Sequence, residues 1–318
     1  MELNIDSAVS QLATTRDWLR WAISRFREAD VALGHGCDTY WNEAVCLVSQ
    51  ALYLPPTMDE RMLGARLTMP ERYRVAEWIQ RRVVNREPLP YIAQTAWQHG
   101  VSFYVDQRVL IPRSPIAQML GEHLSPFLAS DTEPSQILDM CTGCGALAIL
   151  AALVFEDATV DAVDISADAL TIAAYNIGKY SLDSRIRLIH SDQFSQIPAG
   201  LTYDLILCNP PYVDEIEMAN LPPEYRFEPT LALAAGADGL DFLRSFLEQA
   251  ARHLKPEGKL VLEVGNSDLQ LQKAAPDFEF IWVEVDGGAQ GLTVLDREEC
   301  LVVAQQLASK SIADQSSS

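Results

Sequence analysis

The chain has 318 residues, 48% of them hydrophobic, with six cysteines and a formal net charge of −20. That is enough apolar material for one large or two modest cored domains without disulfide staples. No apolar run reaches membrane-spanning length, and Met1 to Asp17 mixes acidic and polar groups, so neither a membrane span nor a signal peptide is expected.

Irregular cysteine spacing in a chain of this size implies a reducing, cytoplasmic setting. Cys141 and Cys144 form a C-x-x-C around Thr142 and Gly143. With no second pair to complete a zinc site, they read as small residues of a tight turn, and no metal is expected. Residues 1–100 hold 11 Lys and Arg against 12 Asp and Glu, whereas residues 101–318 hold 13 against 32. The acidity of the second part disfavours direct binding of naked DNA or RNA and suits a basic protein partner, although it also serves solubility alone.

Residues 1–90 read as helical. Trp18, Leu19, Ala22, Ile23 and Phe26 share one face of a helix capped by Thr15 or its neighbour. A second helix is expected from Thr39 to Ala51. A third begins at the capping box Thr68-Met69-Pro70-Glu71, with Val75, Ile79 and Val83 as its apolar stripe. Trp18, Trp21, Trp41 and Trp78 are expected to fill this core, and Arg81, Arg82 and Arg86 to form a solvated face or a partner surface. The span 91–134 reads as a linker with a β-hairpin between Trp97 and Leu110, and 301–318 as a polar tail ending in Ser316-Ser317-Ser318.

From Ser135 the pattern changes to short apolar runs alternating with helical stretches, so 135–300 is expected to be the catalytic domain. Ile137 to Met140, Val160 to Ile165, Ile186 to Ile189, Leu205 to Cys208 and Leu260 to Val264 read as buried parallel strands. Helices from Ala167 to Tyr180 and Leu240 to Leu254 lie between them, giving an open, doubly wound α/β sheet. Two more strands, Phe278 to Val285 and Leu292 to Leu295, are separated only by the turn Gly287 to Gly291, which makes the last strand antiparallel.

Three features carry chemistry. The first strand ends in Asp139-Met140-Cys141-Thr142-Gly143-Cys144-Gly145, a small-residue turn that admits a ligand close to backbone N–H groups. The second strand ends in Asp164, 19 positions after Gly145, about where dinucleotide folds place a ribose-binding carboxylate (~20 residues on). The fourth strand runs into Asn209-Pro210-Pro211-Tyr212. Two prolines remove two donors and leave nearby carbonyls without sheet partners, Asn209 adds an amide oxygen, and Tyr212 adds a flat ring. Together these suit a planar NH2 group.

The order of these motifs resembles the class I methyltransferases with an NPPY signature. More narrowly it resembles the glutamine methyltransferases that modify release factors and ribosomal protein three of the large subunit. Val109 to Ile116, Tyr225 to Pro229 and Glu263 to Ser267 are similar to stretches of that group, and Arg113-Ser114-Pro115-Ile116 looks like the ribosomal-protein branch. The resemblance implies a Rossmann-like, seven-stranded sheet with a smaller helical domain that recognises substrate. It also implies S-adenosylmethionine as cofactor and a ribosomal protein, or an assembling large subunit, as partner.

Carried over by motif, Asp139, Thr142, Gly143 and Gly145 line the cofactor's methionine and ribose side, Asp164 holds the ribose, and Asp192 and Phe194 lie by the adenine. Asn209 also touches the cofactor; with Pro210 and Pro211 it binds the substrate amide, Tyr212 stacks on it, and Arg113 and Glu228 position substrate. Departures are Cys141 and Cys144 in the turn and the missing glycine after Tyr91-Ile92-Ala93-Gln94. The rival readings are a release-factor enzyme, a nucleic-acid adenine methyltransferase and a non-catalytic ribosome-docking module. His35, His99, His123, His190 and His253 lack ligand spacing and read as ordinary histidines.

Overall fold

The computed structural model describes residues 3–128, 133–286, 288 and 290–315, the last six by backbone alone. The chain divides into two compact units. The first runs through Trp97 and includes Val105–Gln107 and Leu221–Phe227; the second holds Gln98–Tyr104, Arg108–Asn220 and the remainder from Glu228.

The first unit is helical: α1 (Ile5–Gln11), α2 (Thr15–Glu28), α3 (Tyr40–Ala51), α4 (Met69–Val83) and α5 (Leu89–Ala93). Each start is written in the sequence. Thr14 and Asp17 make a capping box on α2, Thr39 accepts the Asn42 N–H at 3.1 Å, and Thr68 with Glu71 repeats the box on α4 with proline behind it. Trp18, Leu19, Ala22 and Phe26 meet Leu47, Val48, Val75 and Ile79 in a fully buried core.

Two expectations change here. Trp21 and Trp78 do pack at the edge of this core, but Trp41 is 54% exposed, because it sits at the outward-facing start of α3. Arg82 is not on a solvated face. It is 1% exposed, donating to Glu43 at 2.5 Å, to Glu224 at 3.2 Å and to the Ala32 carbonyl at 2.6 Å. Arg86 reaches the same Glu224 oxygen at 2.9 Å. A spacing pattern cannot show this, since the acids that pull the guanidinium inward come from distant segments.

Where the chain passes into the second unit, β1 (Ala96–Gln98) and β2 (Val101–Phe103) pair around His99 and Gly100. Both turn residues have positive φ, +48° and +79°, as a two-residue hairpin turn requires. The expected hairpin is therefore present but shorter. After α6 (Ile116–Gly121) come β3 (Gln136–Met140), α7 (Ala146–Val154), β4 (Thr159–Asp164), α8 (Ala167–Lys179), β5 (Ile186–His190) and β6 (Tyr203–Cys208). There follow α9 (Glu215–Asn220), α10 (Asp241–His253), β7 (Leu254–Glu263), α11 (Asp268–Ala274), β8 (Leu292–Asp296) and α12 (Arg297–Gln315).

The sheet order is β5-β4-β3-β6-β7-β8, parallel except for antiparallel β8. Strand order reverses between β3 and β6, so the carboxyl ends of those strands diverge into a crevice, the usual ligand position of such sheets.

The sheet has six strands among the described residues, not seven. The stretch from Phe278 to Val285 makes a single antiparallel bridge, Trp282 to Thr293. A side chain interrupts its ladder: the Thr293 hydroxyl donates to the Ile281 carbonyl at 3.0 Å. In the expected turn beyond it, Gly287 and Ala289 lie outside the described residues. The expected tail from residue 301 is instead the body of α12, because Cys300, Val303, Ala304 and Leu307 form a buried stripe at helical spacing. Ser316 to Ser318 lie outside the described residues. No helix among the described residues is long and apolar enough to cross a membrane.

Candidate active site

At the β3 and β6 reversal the second unit opens a cleft of 190 Å3. Its walls include Cys141 and Gly143 after β3, Asp164, Ile165 and Ser166 after β4, and Ser191, Asp192 and Gln193 after β5. Asn209 and Pro211 follow β6, and Leu231 and Phe242 lie beyond them.

The turn after β3 is left-handed at three of five positions, with φ of +63° at Cys141, +55° at Gly143 and +83° at Gly145. The two glycines answer different needs. A Cβ on Gly145 would sit 3.2 Å from the Ala173 methyl, so that glycine lets α8 approach. A Cβ on Gly143 would meet nothing within 4 Å; it would project into open space where the residue lines the cleft.

Two carboxyls brace this turn. Asp164 accepts the Gly143 N–H and the Ser166 N–H, each at 2.9 Å. Burial raises its pKa, opposed by those backbone hydrogen bonds. Asp139 is wholly buried; one oxygen takes the Thr142 hydroxyl at 2.6 Å and the Ala148 N–H at 3.0 Å, while Oδ1 has no partner. Burial pushes the Asp139 carboxyl up to about 7, against the pull of those hydrogen bonds.

Asn176, which sequence reasoning missed, holds the back of the turn. Its amide donates to the Cys144 carbonyl at 2.9 Å and the Tyr104 carbonyl at 3.0 Å, and accepts the Tyr104 N–H at 2.8 Å. The signal was present, since Asn176 interrupts the buried stripe Ala169, Ile172, Ala173 and Ile177 of α8. A polar residue there must satisfy its hydrogen bonds internally.

On the opposite wall, the prolines after β6 carry the chain out of the sheet. Val213 then bonds with Leu233 and Ala235, N–H to Leu233 carbonyl at 2.8 Å and carbonyl to Ala235 N–H at 2.9 Å. This closes the neck of the excursion between them. The Tyr212 hydroxyl donates to Glu263 at 3.1 Å. Arg113 and Glu228 pair with each other in two-pronged geometry, at 2.6 and 2.9 Å, and the same Glu228 accepts the Ile111 N–H at 3.0 Å.

Of the residues singled out in the sequence, Gly143, Asp164, Asp192, Asn209 and Pro211 line the cleft together. Asp139, Thr142, Gly145 and Pro210 are buried behind its surface. Phe194 is elsewhere: 4% exposed, it stacks on His253 and Phe246, with centroids 4.7 and 5.6 Å away, and belongs to the core. Ile165, 48% exposed at the cleft, and Phe242 were not anticipated and supply its flat apolar surfaces.

The methyltransferase small domain family matches residues 117–221. The chain is 47% identical over 289 residues to the ribosomal protein uL3 glutamine methyltransferase of Bordetella pertussis, covering 91% of this chain and 97% of that one. It is 45% identical to the protein of the same name from Neisseria gonorrhoeae, over 93% and 98% of the two chains. Among solved structures, the hMettl16 catalytic domain in complex with a MAT2A 3'UTR hairpin shares the fold, with a TM-score of 0.51 at 13% identity over 76% of this chain and 85% of that one.

Proposed function

This chain belongs to the family of ribosomal protein uL3 glutamine methyltransferases, and from that premise we propose that it moves the methyl group of S-adenosylmethionine to the side-chain amide nitrogen of a glutamine in uL3. The observation that carries the reading is one cleft with Gly143 and Asp164 on one wall and Asn209 and Pro211 on the other.

The residues present fit such a cofactor. The open space over Gly143 admits a ligand against backbone. Asp164 offers carboxylate lone pairs to ribose hydroxyls, and Ile165 and Phe242 offer apolar surface to a flat base beside Asp192. Two carboxyls near the turn, Asp139 and Asp164, favour a ligand carrying positive charge. Thr142 and Gly145 shape the turn from behind. The bound cofactor supplies an electrophilic methyl on a sulfonium.

An amide nitrogen is a weak nucleophile because its lone pair is shared with the carbonyl, so placement must do most of the work. Well-oriented systems gain roughly 7 to 11 kcal/mol in this way. The Asn209 side-chain oxygen and the Pro210 carbonyl accept the two N–H groups of the substrate amide, and Tyr212 stacks on its plane. Those hydrogen bonds strengthen as positive charge develops on nitrogen, which favours the transition state over the ground state; as the new N–C bond forms and the methyl's C–S bond breaks, the surplus N–H proton passes to water. The Arg113 and Glu228 pair fixes the ends of the segments that flank the cleft and so positions substrate.

The helical first unit serves substrate recognition, and the acidity of the chain beyond residue 100 suits a basic ribosomal protein. Such a target puts the reaction in the cytoplasm. Mass spectrometry of uL3 and of a release factor, each incubated with the chain and S-adenosylmethionine, tests the reading. One added methyl on a uL3 glutamine is expected. Methylation of the release factor alone keeps the chemistry and overturns the substrate, and transfer only to RNA or DNA overturns both.

A further inference from the structure

The second unit buries a set of polar side chains that the roles above leave unused. Glu263, at the end of β7, is 5% exposed. One oxygen accepts the Tyr212 hydroxyl at 3.1 Å and the other the Ser114 hydroxyl at 2.5 Å. A buried carboxyl is costly unless its oxygens are paired, and here both are. Burial raises the pKa of Glu263, opposed by the hydrogen bonds from Ser114 and Tyr212 and by the charge of Arg113.

The seat of Tyr212 is built as tightly at its other end. A Cβ on Gly265 would lie 2.4 Å from the Tyr212 ring, and one on Gly239 would lie 2.4 Å from the Tyr212 carbonyl. A Cβ on Gly291 would lie 2.1 Å from the Gly265 carbonyl, so the approach to β8 backs the ring's support. All three glycines have positive φ. Ser267 donates to the Tyr212 carbonyl at 2.7 Å. Backbone from three segments thus closes on one residue of the strand exit, and a single carboxylate holds its hydroxyl.

We propose that Glu263 is a positioning residue for methyl transfer: by accepting the Tyr212 hydroxyl, with Ser114 bracing its second oxygen, it fixes the direction and place of the ring on which the substrate amide stacks. This rests on the reading of Tyr212 as the stacking partner of the amide. The hydroxyl lies on the axis of ring rotation, so this bond fixes where that axis points while the packing against Gly265 limits the plane; a placement error of about 1 Å near reacting atoms costs on the order of 100-fold in rate.

The test is a cycle of Glu263→Gln, Tyr212→Phe and the double variant, with Ser114→Ala as a milder probe, in steady-state transfer to uL3. Because all four variants leave the Gly143 and Asp164 wall untouched and Tyr212→Phe keeps its ring, cofactor affinity is expected to stay within about twofold of wild type, which also shows that they fold. Expected are a fall in kcat of roughly 10- to 100-fold for each single variant, little change in KM for uL3, and a double variant no slower than the slower single one. A several-fold fall is expected for Ser114→Ala. Wild-type kcat in Glu263→Gln, or effects that multiply in the double variant, overturns the proposal.

Hydrogen exchange supplies a readout that needs no substrate. The Val213 amide should exchange faster in Glu263→Gln and Tyr212→Phe alike, and unchanged exchange in Glu263→Gln counts against the proposal. A wild-type chain that modifies no uL3 glutamine overturns the functional reading instead, and the exchange rates still decide whether Glu263 holds Tyr212.

Discussion

The Asp164 carboxylate accepts the backbone N–H of Gly143 at 2.9 Å, so the end of β4 and the turn after β3 form one continuous wall of the cleft. Replacing Asp164 with alanine removes the acceptor offered to the ribose and also frees the turn. A hydrogen bond to a charged group contributes about 1.5 to 3 kcal/mol. The expected outcome is a dissociation constant for S-adenosylmethionine raised roughly 10- to 150-fold, read by calorimetry. Unaltered affinity would remove Asp164 from the cofactor's binding wall.

Asn209 stands on the opposite wall and separates binding from chemistry. Asn209→Ala deletes one of two acceptors for the substrate amide while leaving Gly143 and Asp164 untouched. Loss of a preorganised partner of the transition state lowers kcat by about 100- to 1,000-fold. Cofactor affinity should move by no more than a few-fold, and full turnover in this variant would exclude the proposed role.

Most of the catalytic sheet was legible because parallel strands buried on both faces are unbroken apolar runs, and the chemistry lies within a residue or two of where each run stops. Asp164 and Asn209 could be found in this way. Ile165 could not be assigned, since an isoleucine closing an apolar run reads as more strand, yet it ends half exposed beside the cleft. Phe242 and Leu231 reach the cleft through long-range packing that no local pattern encodes. Phe194, placed by the adenine through the family resemblance alone, stacks on His253 and Phe246 in the core, a long-range pairing that no motif shows. Buried polar residues were the least legible. Arg82 and Asn176 are explained only by partners 39 to 142 and 32 to 72 positions away in the chain.

Asp139 makes a pH prediction whose sign follows from its burial. Its pKa rises from 3.8 to about 7 on folding, so between those values the native chain holds a proton that the unfolded chain has released. Stability therefore falls with rising pH: the contribution is fully present below 3.8 and is lost as pH passes through about 7. Its full size is on the order of 4 kcal/mol. Thermal melts of the cofactor-free chain should show the second unit weakening from about pH 5 up to about 7 and levelling off above that, and Asp139→Asn should flatten that slope. Saturating S-adenosylmethionine, as a cation, should flatten it too by favouring the ionised form. A slope that persists in Asp139→Asn would assign the effect to other groups.

The first unit offers a stability test independent of catalysis. Arg82 is paired with Glu43 and Glu224 at side-chain exposures of 1%, 4% and 0%, and Arg86 contacts the second of these acids. Arg82→Met keeps most of the apolar stem but leaves Glu43 buried without that cation. Breaking a buried pair from one side costs about 3 to 5 kcal/mol, far more than a surface pair, because the remaining charge is stranded away from water. Five of the six tryptophans, Trp18, Trp21, Trp41, Trp78 and Trp97, belong to this unit, so tryptophan fluorescence during urea unfolding reports on it almost alone. The midpoint should fall sharply in Arg82→Met. Arg61→Met, which removes a pair exposed at 89% and 45%, should leave it nearly unchanged. Equal small shifts in both variants would mean that water reaches the Arg82 cluster and that its charges are not buried in solution.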